Sequence, residues 1–103
     1  MALINTREIE EFALVLAQDL ARRFPPASES RIDAGAKHQI KVILEGLCAR
    51  AVRYRDEHEL GVYKKAKLGN IFRWRLKELG YSDEFAQRAT KDLVTRLAIK
   101  TKK

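Results

Sequence analysis

Apolar residues recur every three or four positions through four stretches of this chain, and no stretch alternates apolar with polar residues as a half-buried strand would. Ile9, Phe12, Ala13, Leu16, Leu20 and Phe24 make the first such series. Ala36, Ile40, Ile43, Leu44, Leu47, Ala51 and Tyr54 make the second, with His58 at its end. Leu68, Phe72, Leu76 and Leu79 make the third, and Ala86, Ala89, Thr90, Leu93, Val94 and Leu97 the fourth. Pro25-Pro26, Gly61 and Gly80 separate them, and each is a residue that stops a helix. The pattern predicts an all-α protein, a single four-helix domain over residues 1–103, with helices at about 6–24, 31–59, 63–79 and 83–100. The short connections predict that helices adjacent in sequence pack on each other.

Local signals support these boundaries. Asn5 can cap the first helix, with Glu8 reaching back as the partner of a capping box. Glu8, Glu10 and Glu11 then precede Arg22 and Arg23, the charge order that a helix dipole favours. Residues 25–30 read as a loop, and Ser30, three residues before Asp33, is a start signal for the second helix. Gly46 inside that helix would permit a close helix crossing, and Gly61 should end it. Gly80 and Tyr81 fit the C′ and C″ positions of a Schellman motif, and Ser82 caps the fourth helix ahead of Asp83 and Glu84. The tail 100–103, Lys-Thr-Lys-Lys, is expected to fray.

The chain of 103 residues carries 21 Lys and Arg against 14 Asp and Glu, a net charge of +7. That excess is uneven: residues 61–103 hold 12 basic and 4 acidic side chains, while residues 1–60 are close to neutral. A basic segment on a neutral body suits a contact with something anionic. On the third helix, Tyr63, Lys67, Asn70, Trp74 and Lys77 share the side opposite Leu68, Phe72 and Leu76, with Lys64, Arg73 and Arg75 flanking them. Cationic groups neutralise phosphates, Asn can donate to a phosphate or a base edge, and an indole can stack on a base. The competing reading buries Trp74 and Tyr63 against the first or fourth helix, because large aromatics are mostly buried.

The third helix, Gly80-Tyr81-Ser82 and the fourth helix also form a helix-turn-helix-like hairpin. In the DNA-binding motif the second helix reads the groove; here it would present Gln87, Arg88, Lys91, Thr95 and Arg96. Leu76 stands four residues before the turn glycine, where that motif usually has a small residue, and an ordinary αα-hairpin explains the same residues.

Catalytic and metal chemistry find little support. His38, Cys48 and His58 fall at intervals of ten along one helix, whereas ligands on one helix need i, i+3 or i, i+4 spacing. Cys48 has no CxxC partner, and no Gly-rich phosphate loop is present. Arg53, Arg55, Asp56, Glu57 and Glu59 read as solvated ion pairs rather than an acid–base pair. No cofactor, metal, small-molecule substrate or enzymatic activity is expected. No apolar run approaches the ~20 residues of a membrane span, residues 1–10 lack the pattern of a secretory signal, and a single cysteine suits a reducing cytoplasm.

The stretch Lys65-Ala-Lys-Leu-Gly-Asn-Ile-Phe-Arg-Trp-Arg-Leu-Lys-Glu-Leu-Gly-Tyr81, followed by Phe85, Thr90 and Leu93-Val94, is similar to small uncharacterised helical proteins carried by prophages and other mobile elements. The resemblance covers about the last 40 residues and implies a small accessory protein of bacterial or phage origin.

Two functions are therefore expected from different classes. In the first, a cytoplasmic nucleic-acid-binding or accessory protein contacts DNA or RNA. Lys64, Lys65, Lys67, Arg73, Arg75, Lys77, Lys91 and Arg96 would neutralise phosphates, and Asn70 and Trp74 would be directed at bases. In the second, a helical interaction module forms a homodimer or grips an acidic protein. Trp74 and Tyr63 would then be anchors, and Leu14 and Val15, off the main stripe of the first helix, a dimer seam.

Overall fold

In the computed structural model, which describes residues 6–30 and 33–99, the chain forms four α-helices and no strand among those residues. They are α1 (Thr6–Arg23), α2 (Ala34–His58), α3 (Val62–Leu79) and α4 (Asp83–Ala98), with a 3-10 turn at Pro26–Ser30. The expected cap Asn5 and the tail 100–103 lie outside the described residues.

Each helix buries the stripe its spacing marks out. Ile9, Ala13, Leu16 and Leu20 of α1 are inaccessible, as are Leu68, Phe72 and Leu76 of α3, and Ala86, Leu93 and Leu97 of α4 are nearly so. From α2 come Ala36, Ile43, Leu47, Cys48 and Ala51. Each large side chain buried this way contributes about 1.5–3 kcal/mol against exposure, so the stripes dominate the stability of the fold. Leu79, where α3 ends, and Val94 of α4 depart from their expected core positions, and each is over a third exposed.

The expectation that sequential helices pair holds for α3 and α4 but not for the other neighbours. α1 packs most extensively on α3, α3 on α4, and α4 on α2, whereas α1 and α2 touch little and α2 and α3 hardly at all. The join between α2 and α4 is fastened at the foot of α2. Arg55 is buried there, and its Nη1 donates to the carbonyl oxygens of Leu97 at 2.9 Å and Ile99 at 2.8 Å. These are among the carbonyls that a helix end leaves without partners. The guanidinium thus ties the end of α2 to the end of α4, and the Nζ of Lys65 approaches the Leu97 carbonyl as well, at 3.5 Å. Arg55 also pairs with Asp56 at 2.9 Å, but it is a buried cap rather than part of a solvated cluster.

The joints differ in detail from their sequence signals. Asp33, not Ser30, caps α2, accepting from the Ala36 N–H at 2.8 Å; Ser30 is the last residue of the 3-10 turn. α2 ends before Gly61, through Glu59 in the left-handed region at φ 50°, and the Leu60 N–H returns to the Arg55 carbonyl at 3.0 Å. Gly61 instead precedes α3 as its N-cap. Gly80, at φ 114°, and Tyr81 close α3 as a Schellman motif, donating to the carbonyls of Lys77 and Leu76. Ser82 caps α4 by accepting from the Phe85 N–H.

The close helix crossing uses Gly69, not Gly46. A Cβ at Gly69 would lie 2.5 Å from Cγ2 of Val94, whereas a Cβ at Gly46 would meet nothing within 4 Å. Tyr81 holds the remaining corner. Its hydroxyl donates to the Phe24 carbonyl, its ring stacks on Phe85, and Glu29 accepts from the N–H and hydroxyl of Ser82. Burial, assisted by the Glu29 carboxylate, pushes the Tyr81 hydroxyl up to about 12.

Candidate nucleic-acid interface

α3 is anchored along two of its sides, by α1 and by α4, and this leaves one face bare. At 100° per residue, Tyr63, Lys67, Asn70, Trp74 and Lys77 fall on that face. Tyr63 is 72% exposed and Trp74 52% exposed, so neither is a core residue. The Nζ of Lys77 sits 4.8 Å from the Trp74 ring centroid, a cation–π contact that holds indole and ammonium side by side. Asn70 is exposed, and Lys67, half-buried, forms no ion pair among the described residues.

The flanking cations are partly neutralised. Asp83, at the start of α4, pairs with Arg73 at 3.1 Å and with Lys77 at 3.3 Å. Those hydrogen bonds, that from Arg73 foremost, hold the Asp83 carboxyl below its usual range. Arg75 pairs with Glu78 at 3.0 Å. Lys65 is directed at the end of α4, and Lys64 lies half-buried on the side of α3 that also carries Arg75.

Lys91 and Arg96 belong to a different surface. They line a groove of about 390 Å³ between α2 and α4, together with Lys41 and Arg88. On α4, Thr90 and Val94 face Gly69 of α3, while Asp92 and Arg96 are turned about half a revolution away, toward α2. The ten candidate residues thus divide. Lys67, Asn70, Trp74 and Lys77 come together on the α3 face, Arg73 and Arg75 flank it in ion pairs, Lys64 lies at its edge, Lys65 is turned away from it toward the end of α4, and Lys91 and Arg96 stand apart. Lys41 was not legible as a site residue because it lies in the near-neutral part of the chain; only the packing of α2 on α4 brings it beside the α4 cations.

Cys48 lies at the floor of that groove, and burial raises its thiol pKa, with the Arg96 charge opposing. His38 and His58 are exposed; the His58 ring leans on Tyr54, centroids 4.3 Å apart. Among the described residues, no group of His, Cys, Asp and Glu could hold a metal ion, and no helix is long and apolar enough to cross a membrane.

These observations define the class of the protein as an all-α four-helix fold with an exposed aromatic and cationic helix face. No family model, curated protein or solved structure matches the chain.

Proposed function

We propose that this is a small, non-enzymatic, cytoplasmic nucleic-acid-binding or accessory protein of phage or bacterial origin, contacting single-stranded or duplex nucleic acid through the outward face of α3. The observation that carries the reading is the half-exposed Trp74 indole on one helix face with Lys67, Asn70 and Lys77. An indole held open in this way stacks on a base, and the ammonium groups beside it neutralise the adjoining phosphates. The +8 balance of residues 61–103 supports it by drawing a polyanion to this part of the molecule.

The test is a fluorescence titration of Trp74, the only tryptophan, with single-stranded and duplex oligonucleotides at two salt concentrations. Saturable quenching is expected. With about four phosphates contacted, log K should fall against log salt with a slope of roughly −3.6 on duplex and −2.8 on single strands. Lys67→Glu should weaken binding on every sequence. Unchanged emission, or binding indifferent to salt, would refute the reading.

A second reading draws on Tyr63, which is in line with Trp74, and on Val62, 81% exposed and next to Tyr63 in the chain. Exposed aromatics of this kind anchor protein interfaces, and α3 would then be the contact of a helical interaction module. Light scattering after size exclusion tests its homodimer form: a monomer at micromolar concentration refutes it. Val15, nearly half exposed on α1, offers that dimer a second contact; Leu14 is partly buried and offers less.

A further inference from the structure

The groove between α2 and α4 is built unlike the α3 face. Its floor is aliphatic: Ile40 and Leu44 of α2 are half-buried, with Cys48 and Ala89 beneath. Its lips carry four cations, Lys41 on α2 and Arg88, Lys91 and Arg96 on α4. Only Glu45 and Asp92 oppose them, leaving an excess of two positive charges. None of the four cations forms an ion pair among the described residues. That contrasts with Arg73, Arg75 and Lys77 on α3, which all have carboxylate partners.

We propose that this groove is a docking site for an acidic amphipathic helix of a partner protein. Its apolar stripe would cover Ile40 and Leu44, and Asp or Glu on its flanks would face the lips. Charge complementarity selects the occupant. The cations run from Arg88 to Arg96, about 12 Å along α4 at 1.5 Å per residue, with Lys41 on the opposite lip. Cations spread over two turns serve several carboxylates in a row, whereas a single lipid headgroup would need them gathered at one end. The floor disfavours a nucleic acid, because the one aromatic ring at the groove, Phe85, is already stacked on Tyr81 and lies parallel to Phe24, leaving no open ring for a base. Two parallel helices with an apolar channel between them are a recurrent seat for a third helix read at i, i+3, i+4 and i+7.

The probe is a synthetic helix of about four turns with leucines at i, i+3, i+4 and i+7 and glutamates on both flanks, titrated into the isotope-labelled full chain while amide shifts are followed. Saturable shifts at Leu44, Cys48 and Ala89 are expected, with Asn70 and Trp74 unmoved. Arg88→Glu with Lys91→Glu should weaken binding roughly tenfold or more. Both side chains are exposed, so this variant keeps its core, which its circular dichroism will show. The same peptide with lysine for glutamate should not bind. Absence of binding, equal binding of the lysine peptide, or indifference to the charge reversal would overturn the proposal. Displacement of the peptide by a single-stranded oligonucleotide that shifts the same groove amides would overturn it in favour of a nucleic acid. A homodimer that dissociates on Arg88→Glu would overturn it in favour of a second copy. Loss of oligonucleotide binding at Trp74 leaves these readouts untouched, so the two faces are tested separately.

Discussion

Replacing Arg55 by methionine should be among the most damaging changes that leave the apolar core intact. The Arg55 guanidinium is buried, and it donates to the carbonyls of Leu97 and Ile99 at 2.9 and 2.8 Å. A hydrogen bond from a charged donor contributes about 1.5–3 kcal/mol. Both are lost, together with the exposed pairing to Asp56, which adds little, but the freed carbonyls sit at a helix end beside the exposed Ile99, where water recovers part of the loss. The expected cost is therefore about 3 kcal/mol, a large share of the ~5–15 kcal/mol that holds a domain together. For a chain of this size it corresponds to a fall in Tm of about 12–24 °C, read by circular dichroism at 222 nm. Hydrogen exchange adds a local signature, because amides in the last turn of α4 should lose protection before those at its centre. Arg55→Lys should fall between, keeping the charge but not the paired geometry. Asp56→Asn should cost no more than ~1 kcal/mol, since Asp56 is over half exposed. A fall in Tm under about 4 °C for Arg55→Met would refute the capping argument.

Three further outcomes follow from single residues. Glu59 stands in the left-handed region at the negative end of α2, so Glu59→Gly should stabilise by about 1 kcal/mol, seen as a rise in Tm of about 4–8 °C; a fall would show that its side chain holds the joint. Gly46→Ala should stabilise by about 0.5–1 kcal/mol in denaturant titrations, while Gly69→Ala should destabilise by about 1–3 kcal/mol as Val94 is forced aside; equal effects at the two glycines would contradict the crossing described above. Tyr81 has its hydroxyl raised from an ordinary 10.0 to about 12, so its contribution is complete below about pH 10 and is lost as pH rises toward 12; Tyr81→Phe should be less stable at neutral pH and should not show that loss, as pH-dependent melts can establish.

Much of the candidate site was legible because it lies on one helix. Tyr63, Lys67, Asn70, Trp74 and Lys77 share a face by periodicity alone, and the structure leaves that face open. Whether Trp74 was core or surface was not legible, because an indole satisfies either environment and only the placement of α1 and α4 on the other sides of α3 decides it. The neutralisation of Arg73 and Lys77 by Asp83 was equally hidden, since it depends on how the Gly80–Ser82 turn folds α4 back.

The sequence by itself determined the helical class, the stripes each helix buries, the Schellman turn at Gly80-Tyr81 and the Ser82 cap, because these depend on spacing within a few residues and on local backbone chemistry. Tertiary structure alone decided which helix packs on which, the burial of Arg55, the close approach at Gly69, and the meeting of Lys41 with Arg88, Lys91 and Arg96. Each of those joins residues far apart in the chain. No local period encodes such a contact; it follows from how four amphipathic surfaces close on one another.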